Sequence, residues 1–215
     1  MKLYLLRHGE TAWNKKGLFQ GQTDIPLNDS GRELAVLTRQ NMPEVKFDRV
    51  YCSPLCRAVE TAEIFLDGRF PLAEIKKDPR IIEICFGSQE GASIIEAKEN
   101  PEHPMYNLLW HPELYHPTDN AESFEQVVAR ANDFLRNEVM PLEGKFENVL
   151  VVAHGALNRA IVCAAGYKEI KDFWNVKYLN CCLTTLEIKN GEISLLKEAE
   201  IFYDSSKFYS VWSEK

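Results

Sequence analysis

Three short polar clusters in this chain carry the residue types best suited to phosphate chemistry. They are Arg7-His8-Gly9, Ser53-Pro54 with Arg57, and His154-Gly155. A guanidinium group can bind two phosphate oxygens at once, and a neutral imidazole can act as a nucleophile or general base. A lone arginine or histidine is usually structural. Two histidines, each followed by glycine and accompanied by arginines, instead favour a site that binds a phosphate group.

Predicted strands and helices alternate along most of the chain. Strands are predicted over 2–6, 48–52, 73–76 and 148–153, and helices over 30–42, from 53 onward, over 122–140 and over 155–166. Two late strands, 182–188 and 193–199, flank Asn190-Gly191, a strong hairpin signal. This order predicts an α/β fold of three layers, with a mainly parallel central sheet, helices on both faces and an antiparallel hairpin at one edge.

The polar clusters are expected to meet at one edge of that sheet. Arg7-His8 and His154 directly follow buried strands, and Ser53 is expected to cap the helix that contains Arg57. In such sheets, ligands bind beyond the carboxyl ends of the strands, where helix N-termini also supply free N–H groups. We therefore expect backbone and side chains to meet a phosphate there together.

Residues 1–215 are expected to form a single domain with an insertion at about 88–121. Prolines among aromatic residues interrupt the alternation there, which predicts short helices and loops that form a lid or pocket wall. His103, His111 and His116 belong to this stretch. Their spacing does not place them on one helical face, so structural or pocket-lining roles are predicted rather than a metal site.

The composition limits the classes of partner. The chain has 32 acidic and 25 basic residues and a net charge of −7, which disfavours general binding to nucleic acid or anionic membranes. No apolar run is long enough for a signal peptide or a membrane span, and the six cysteines show no CxxC spacing. We expect a cytoplasmic protein with reduced thiols.

The first cluster extends to a longer motif, Leu6-Arg7-His8-Gly9-Glu10-Thr11, which resembles the opening motif of the histidine phosphatase superfamily, the phosphoglycerate mutase-like proteins. Further blocks resemble that family in the same order, from about residue 3 to residue 160. They are Asn14, Gln20-Gly21 and 24–28; 53–58 with Thr61-Ala62; Glu83, Phe86-Gly87 and Glu90-Gly91; Glu122-Ser123; and 152–155. The resemblance implies the same α/β fold.

The resemblance also implies a role for each site residue. His8 would be the nucleophile that forms a phosphohistidine, while Arg7, Arg57 and His154 would hold the phosphoryl oxygens without a metal or other cofactor. Glu83 would give a proton to the leaving alcohol and then activate water. The implied phosphate-binding residues are Asn14, Gln20, Gly21 and Gly155.

Among the activities of this family, the sequence favours hydrolysis of a small phosphate monoester. A mutase must retain a bisphosphorylated intermediate, yet Ile84 follows Glu83 where mutases carry arginine, and Lys98 is the only permanent cation between residues 91 and 123. An ester with an uncharged or weakly charged remainder is therefore expected, and 108–123 resembles the insertion of α-ribazole phosphatases. Phosphoglycerate mutase activity and a noncatalytic phosphate-binding role remain the alternatives, and a homodimer is left open.

Overall fold

The computed structural model describes residues 1–208, which contain a six-stranded sheet. The strands are β1 (Lys2–Arg7), β2 (Arg49–Cys52), β3 (Lys76–Lys77), β4 (Asn148–Ala153), β5 (Leu183–Lys189) and β6 (Glu192–Glu200). Their order is β3-β2-β4-β1-β5-β6. The first four strands are parallel to one another, and β5 is antiparallel to both β1 and β6. The predicted mainly parallel sheet with an antiparallel edge hairpin is confirmed.

Seven α-helices connect and cover the strands in the described part of the chain. They are α1 (Ala12–Lys16), α2 (Asp29–Asn41), α3 (Cys56–Leu66), α4 (Ile94–Glu99), α5 (Tyr106–Trp110), α6 (Phe124–Phe134) and α7 (Gly155–Ala164). The long helix predicted over 122–140 is α6, continued by a π-helical turn over Leu135–Val139 and a 3₁₀ turn over Met140–Leu142. None of these helices is long and apolar enough to cross a membrane.

The side chains of β1 alternate between two hydrophobic cores because successive residues of a strand point to opposite faces. Leu3 and Leu5 belong to the larger core, which includes residues of α6, α7 and the predicted insertion. Tyr4 and Leu6 belong to the core beneath α3. The sheet is thus covered on both faces, as expected for a parallel sheet.

Some local predictions were wrong. The strand expected at 73–76 is a 3₁₀ turn over Leu72–Glu74 followed by the two-residue β3. Helix α1 was not predicted, although Thr11 and Asn14 form a reciprocal capping box at its start. Helix α3 begins at Cys56 without a side-chain cap, so Ser53 does not cap it.

The described part of the C-terminal segment packs onto the body of the protein. The Tyr203 hydroxyl donates to the Asn180 carbonyl at 2.6 Å, and the rings of Tyr203 and Phe208 lie 5.5 Å apart. The sequence leaves open whether Tyr209 and Trp212 pack on the body of the protein or join a partner, and both lie outside the described residues.

Candidate active site

His8 lies directly after β1 and is held as a neutral imidazole. Its Nδ1 is 2.6 Å from the Gly9 carbonyl oxygen, which can only accept, so Nδ1 carries the proton and Nε2 keeps its lone pair. Burial and the nearby Arg57 and Arg7 guanidinium groups lower the pKa of His8 well below its ordinary value. The Thr61 hydroxyl fixes the loop by accepting the Gly9 N–H at 2.9 Å.

His154 occupies the equivalent position after β4, the parallel neighbour of β1. Because Arg7 pairs with Ala153 in the register of these strands, the two histidine rings lie with centroids 5.2 Å apart and planes tilted by 59°. Ser53 Oγ lies 2.7 Å from His154 Nε2 and accepts a weaker bond from the Leu55 N–H at 3.4 Å. The Ser53 hydroxyl can therefore donate to Nε2, which leaves the proton of a neutral His154 on Nδ1.

The Nδ1 atom of His154 is buried and has no hydrogen-bond partner within residues 1–208. Burial, followed by the charge of Arg57, lowers the pKa of His154 well below its ordinary value. In the tautomer in which the Ser53 hydroxyl donates to Nε2, His154 is a neutral side chain whose Nδ1–H can donate to an incoming oxygen.

Arg7 and Arg57 provide two buried positive charges beside the histidines. Arg57 is fully buried and donates to the carbonyl oxygens of Gly21 at 2.7 Å and Thr23 at 3.0 Å, and burial lowers its pKa to about 10. Arg7 donates to the carbonyl of Tyr178. The Nε atoms of both arginines lack a hydrogen-bond partner in the described part of the chain. The two cations are thus anchored by backbone while keeping donors available for an anion.

Glu83 is buried at the N-terminus of α7, next to His154. Its Oε1 accepts from the N–H groups of Ile84 and Leu157, both at 3.0 Å, and its Oε2 accepts from the Ala156 N–H at 3.2 Å. A carboxylate is favoured at a helix N-terminus, where N–H groups are unpaired and the helix dipole is positive. These bonds fix the carboxyl group beside the space that the arginines surround.

The other predicted phosphate-binding residues fall into two groups. Asn14 and Gln20 line a cavity beside Arg7, and the buried Gln20 Nε2 has no hydrogen-bond partner among the described residues. Gly21 has no room for a side chain. A Cβ there would lie 2.2 Å from Glu90 Oε1 and 2.6 Å from the Ile84 carbonyl oxygen. The structure places the Gly21 carbonyl on Arg57, so this glycine orients an arginine.

Packing also accounts for the glycines that come after the two histidines. A Cβ on Gly9 would lie 2.4 Å from the Gly31 carbonyl oxygen, so the loop after β1 can meet α2 only without a side chain. A Cβ on Gly155 would lie 3.3 Å from Arg7 Nε and 3.5 Å from Arg159 Nη1. Gly155 therefore leaves room for the Arg7 guanidinium, whereas the distance to Arg159 is an ordinary van der Waals contact. The sequence-based interpretation of both glycines as ligand contacts misses this packing role.

Sequence reasoning missed Arg130, which supports the chain segment that carries Glu83. Arg130 donates to the carbonyl oxygens of Arg80 at 2.8 Å, Ile82 at 2.6 Å and Glu83 at 3.0 Å, and it pairs with Glu122 at 2.9 Å. One guanidinium thus holds an irregular stretch of backbone in place. Arg130 lies in the second turn of α6 and belongs to none of the sequence motifs described above.

A cavity of about 210 Å³ opens next to these residues. Arg7, Glu83 and Gly155 line it together with aromatic side chains and three further cations. Those cations are Lys98, Arg159 and Lys177. The sequence indicated only Lys98, because the other two lie beyond residue 123, in segments that carry no insertion motif. The cavity is therefore more positively charged than the sequence indicated.

The three histidines of the predicted insertion take no part in this site. His103 accepts the Met105 N–H at 3.1 Å, His111 lies 4.0 Å from Glu113, and His116 is exposed. Within residues 1–208, no group of three or more His, Cys, Asp or Glu side chains is placed to hold a metal ion.

Comparison with known proteins identifies the family. The sequence profile of the histidine phosphatase superfamily (branch 1) matches residues 3–200. The chain belongs to this superfamily. Phosphoserine phosphatase 1 of Hydrogenobacter thermophilus is 30% identical over 198 residues, which cover 92% of this chain and 91% of the relative. A 2,3-bisphosphoglycerate-dependent phosphoglycerate mutase of Bifidobacterium longum is 32% identical over 186 residues, or 75% of each chain.

A solved structure of the same superfamily shares the fold. The α-ribazole phosphatase of Shigella flexneri superposes with a TM-score of 0.79 at 25% sequence identity, covering 93% of this chain and 96% of that one. The resemblance inferred from the motifs is confirmed, including its small-molecule phosphatase branch. Membership of a family with phosphatase relatives is consistent with a phosphoric monoester hydrolase.

Proposed function

We propose that this histidine phosphatase hydrolyses small phosphate monoesters through a phosphohistidine on His8. The observation that carries the proposal is the state of His8, a neutral imidazole with its proton fixed on Nδ1 and two guanidinium groups nearby. An imidazole in that state presents an unprotonated Nε2 to phosphorus. The proposal therefore needs no metal ion to activate the nucleophile.

In the first step, a bond forms between His8 Nε2 and phosphorus while the bond from phosphorus to the ester oxygen breaks. Arg7, Arg57 and the Nδ1–H of His154 would stabilise the three phosphoryl oxygens as charge redistributes. Glu83, protonated on Oε2 once the phosphate dianion lies beside it, would give that proton to the departing alkoxide, producing the free alcohol. In the second step, Glu83 would take a proton from water as that water attacks phosphorus and releases phosphate from His8.

The test is hydrolysis of p-nitrophenyl phosphate and several alkyl monoesters in the presence of a chelator. Wild-type protein should release phosphate, and His8→Ala should abolish release. The matched control is His116→Ala, which removes an exposed histidine outside the cavity and should keep full activity. Full turnover by His8→Ala would refute the covalent mechanism, and inactivity of the wild type on every ester would favour a noncatalytic phosphate-binding role.

A phosphoglycerate mutase activity is the second candidate, and the charge of the cavity favours it. Lys98, Arg159 and Lys177 line the space next to Arg7, where a second anionic group of a bisphosphorylated intermediate could lie. The relative from Bifidobacterium longum carries that activity in its name. Isomerisation of 3-phosphoglycerate that depends on added 2,3-bisphosphoglycerate and on His8 would support it, whereas release of phosphate without isomerisation would exclude it.

We further propose that residues 1–215 form one domain and that 88–121 is an insertion that walls the site. Lys98, Leu109 and Trp110, all within that stretch, line the cavity. In this arrangement the insertion would select the organic part of the ester, while residues at the strand ends bind the phosphoryl group.

A further inference from the structure

Arg159 is a buried arginine that the mechanism proposed above does not use. It lies on α7 with 7% of its surface exposed, and its guanidinium is stacked on Tyr178 at 4.1 Å and on Trp174 at 4.9 Å from the ring centroids. Nη1 donates to the Gly155 carbonyl at 2.8 Å, and Nη2 donates to the Val176 carbonyl at 2.9 Å. These contacts fix the plane of the guanidinium and leave three of its five N–H groups for other partners.

No carboxylate in the described part of the chain neutralises the charge of Arg159. Within residues 1–208, no Asp or Glu carboxylate forms an ion pair with it, and its buried Nε has no hydrogen-bond partner. Burial lowers the pKa of Arg159 only to about 10, so the group is cationic at neutral pH. Because a buried unpaired cation is costly, a fixed one that lines a cavity indicates an anion supplied by a ligand.

The position of Arg159 separates this anion from the phosphoryl group. Gly155 lies between Arg159 and Arg7, so the two guanidinium groups border the cavity side by side. Lys98 and Lys177 line the same cavity, which is too large for a phosphate group alone. With the phosphoryl group beside His8, the alcohol part of an ester would face Arg159.

We propose that Arg159 binds a carboxylate on the alcohol part of the substrate, which makes the substrate class a short phosphorylated hydroxy acid or amino acid. This inference rests on the proposed function of the site. A planar carboxylate matches the fork of a fixed guanidinium, which can donate two parallel hydrogen bonds to it. The expectation that the alcohol part of the substrate is uncharged considered only the cations of residues 91–123. Arg159 lies outside that range, on α7, which follows His154.

The first experiment compares esters that differ only at the proposed carboxylate. The pairs are O-phosphoserine with O-phosphoethanolamine, and 3-phosphoglycerate with glycerol 3-phosphate. The wild-type kcat/KM should favour the carboxylate member of each pair by about 10-fold to 100-fold, the range for a hydrogen-bonded charged group. Arg159→Met should reduce that preference to within about 3-fold. The control Arg136→Met alters an exposed arginine bonded to Asn132 and should keep the preference.

A binding measurement separates failure of this inference from failure of the proposed function. Calorimetric titration of His8→Ala protein with 3-phosphonopropionate and with propylphosphonate compares two stable ligands that differ by a carboxylate, and it requires neither turnover nor an Arg159 variant. Tighter binding of 3-phosphonopropionate by about 10-fold or more would support the inference. Equal affinities, or an Arg159→Met protein of native circular dichroism that keeps the wild-type preference, would overturn it. Absence of His8-dependent hydrolysis of p-nitrophenyl phosphate would instead overturn the proposed function.

Discussion

Replacing Glu83 with glutamine (Glu83→Gln) should slow hydrolysis in proportion to how strongly the leaving group needs a proton. Glutamine has nearly the same shape but cannot transfer a proton. Loss of a general acid costs about 10²-fold to 10⁴-fold, or about 3 to 5 kcal/mol in the barrier, for alkyl esters such as glycerol 3-phosphate. Because p-nitrophenolate leaves without protonation, the kcat/KM for p-nitrophenyl phosphate, which reports the phosphorylation step, should fall less than about 10-fold. Its kcat should fall further, because Glu83 also activates the water that attacks the phosphohistidine.

The structure also sets the expected cost in stability. The Glu83 carboxylate accepts N–H groups of Ile84, Ala156 and Leu157 on its two oxygens, and the glutamine amide has only one oxygen to offer. Loss of one or two of these buried bonds should lower the free energy of unfolding by about 1 to 3 kcal/mol. Chemical denaturation measures this cost separately from activity.

The assay is kcat/KM for a series of aryl and alkyl monoesters, plotted against the basicity of the leaving group. Glu83→Gln should show a steeper dependence than wild type. The control Glu125→Gln, at an exposed position in the first turn of α6, should match the wild-type line. Equal losses on p-nitrophenyl phosphate and on alkyl esters would refute the role of Glu83 as a proton donor.

Three further predictions concern residues that support the site and its protonation. Arg130→Met should reproduce the leaving-group-dependent loss of Glu83→Gln. It should destabilise the fold by about 1 to 3 kcal/mol, because it breaks a partly buried ion pair with Glu122 and leaves backbone carbonyl oxygens without a donor. A uniform loss on all esters would indicate only general damage. Ser53→Ala should lower kcat by about 10-fold, because the His154 ring loses the hydrogen bond that orients it, while the free energy of unfolding in denaturant changes by only about 1 kcal/mol. An unchanged kcat would show that this hydrogen bond does not orient His154. The pKa values of His8 and His154 are lowered in the folded protein, so below about pH 6.5 the unfolded chain binds protons that the folded protein does not. The free energy of unfolding should therefore fall on acidification by up to about 1.4 kcal/mol per pH unit for each histidine. The slope should be shallower in a His8→Asn variant, and a slope identical to that of the wild type would contradict the prediction.

Local sequence patterns were sufficient to place the two histidines. The apolar runs of β1 and β4 are strong strand signals, and parallel pairing of these strands brings the residues after each of them to one edge of the sheet. The family resemblance added Glu83, whose carboxyl lies at the N-terminus of α7 because Ala156 and Leu157 donate to it. No local pattern indicated that contact, since it joins residues more than seventy positions apart.

The features that the sequence did not indicate depend on tertiary contacts. Arg159 has no motif of its own, and its role becomes visible only where Trp174 and Tyr178 pack against its guanidinium. Serine is a common helix-capping residue, which is why Ser53 was expected to cap α3. In the fold its hydroxyl lies next to the buried imidazole of His154 and forms its hydrogen bond there instead. Propensity and spacing describe neighbours along the chain and cannot anticipate such partners.

The measurement that tests the central claim most directly is detection of the phosphorylated protein during turnover. Wild-type protein mixed with p-nitrophenyl phosphate and chelator, quenched in alkali within milliseconds and digested, should yield the peptide containing His8 with the mass of one added phosphoryl group. That label should disappear after the substrate is consumed and be absent in His8→Ala. Steady turnover with an unlabelled His8 peptide, or with the label on another residue, would contradict the account.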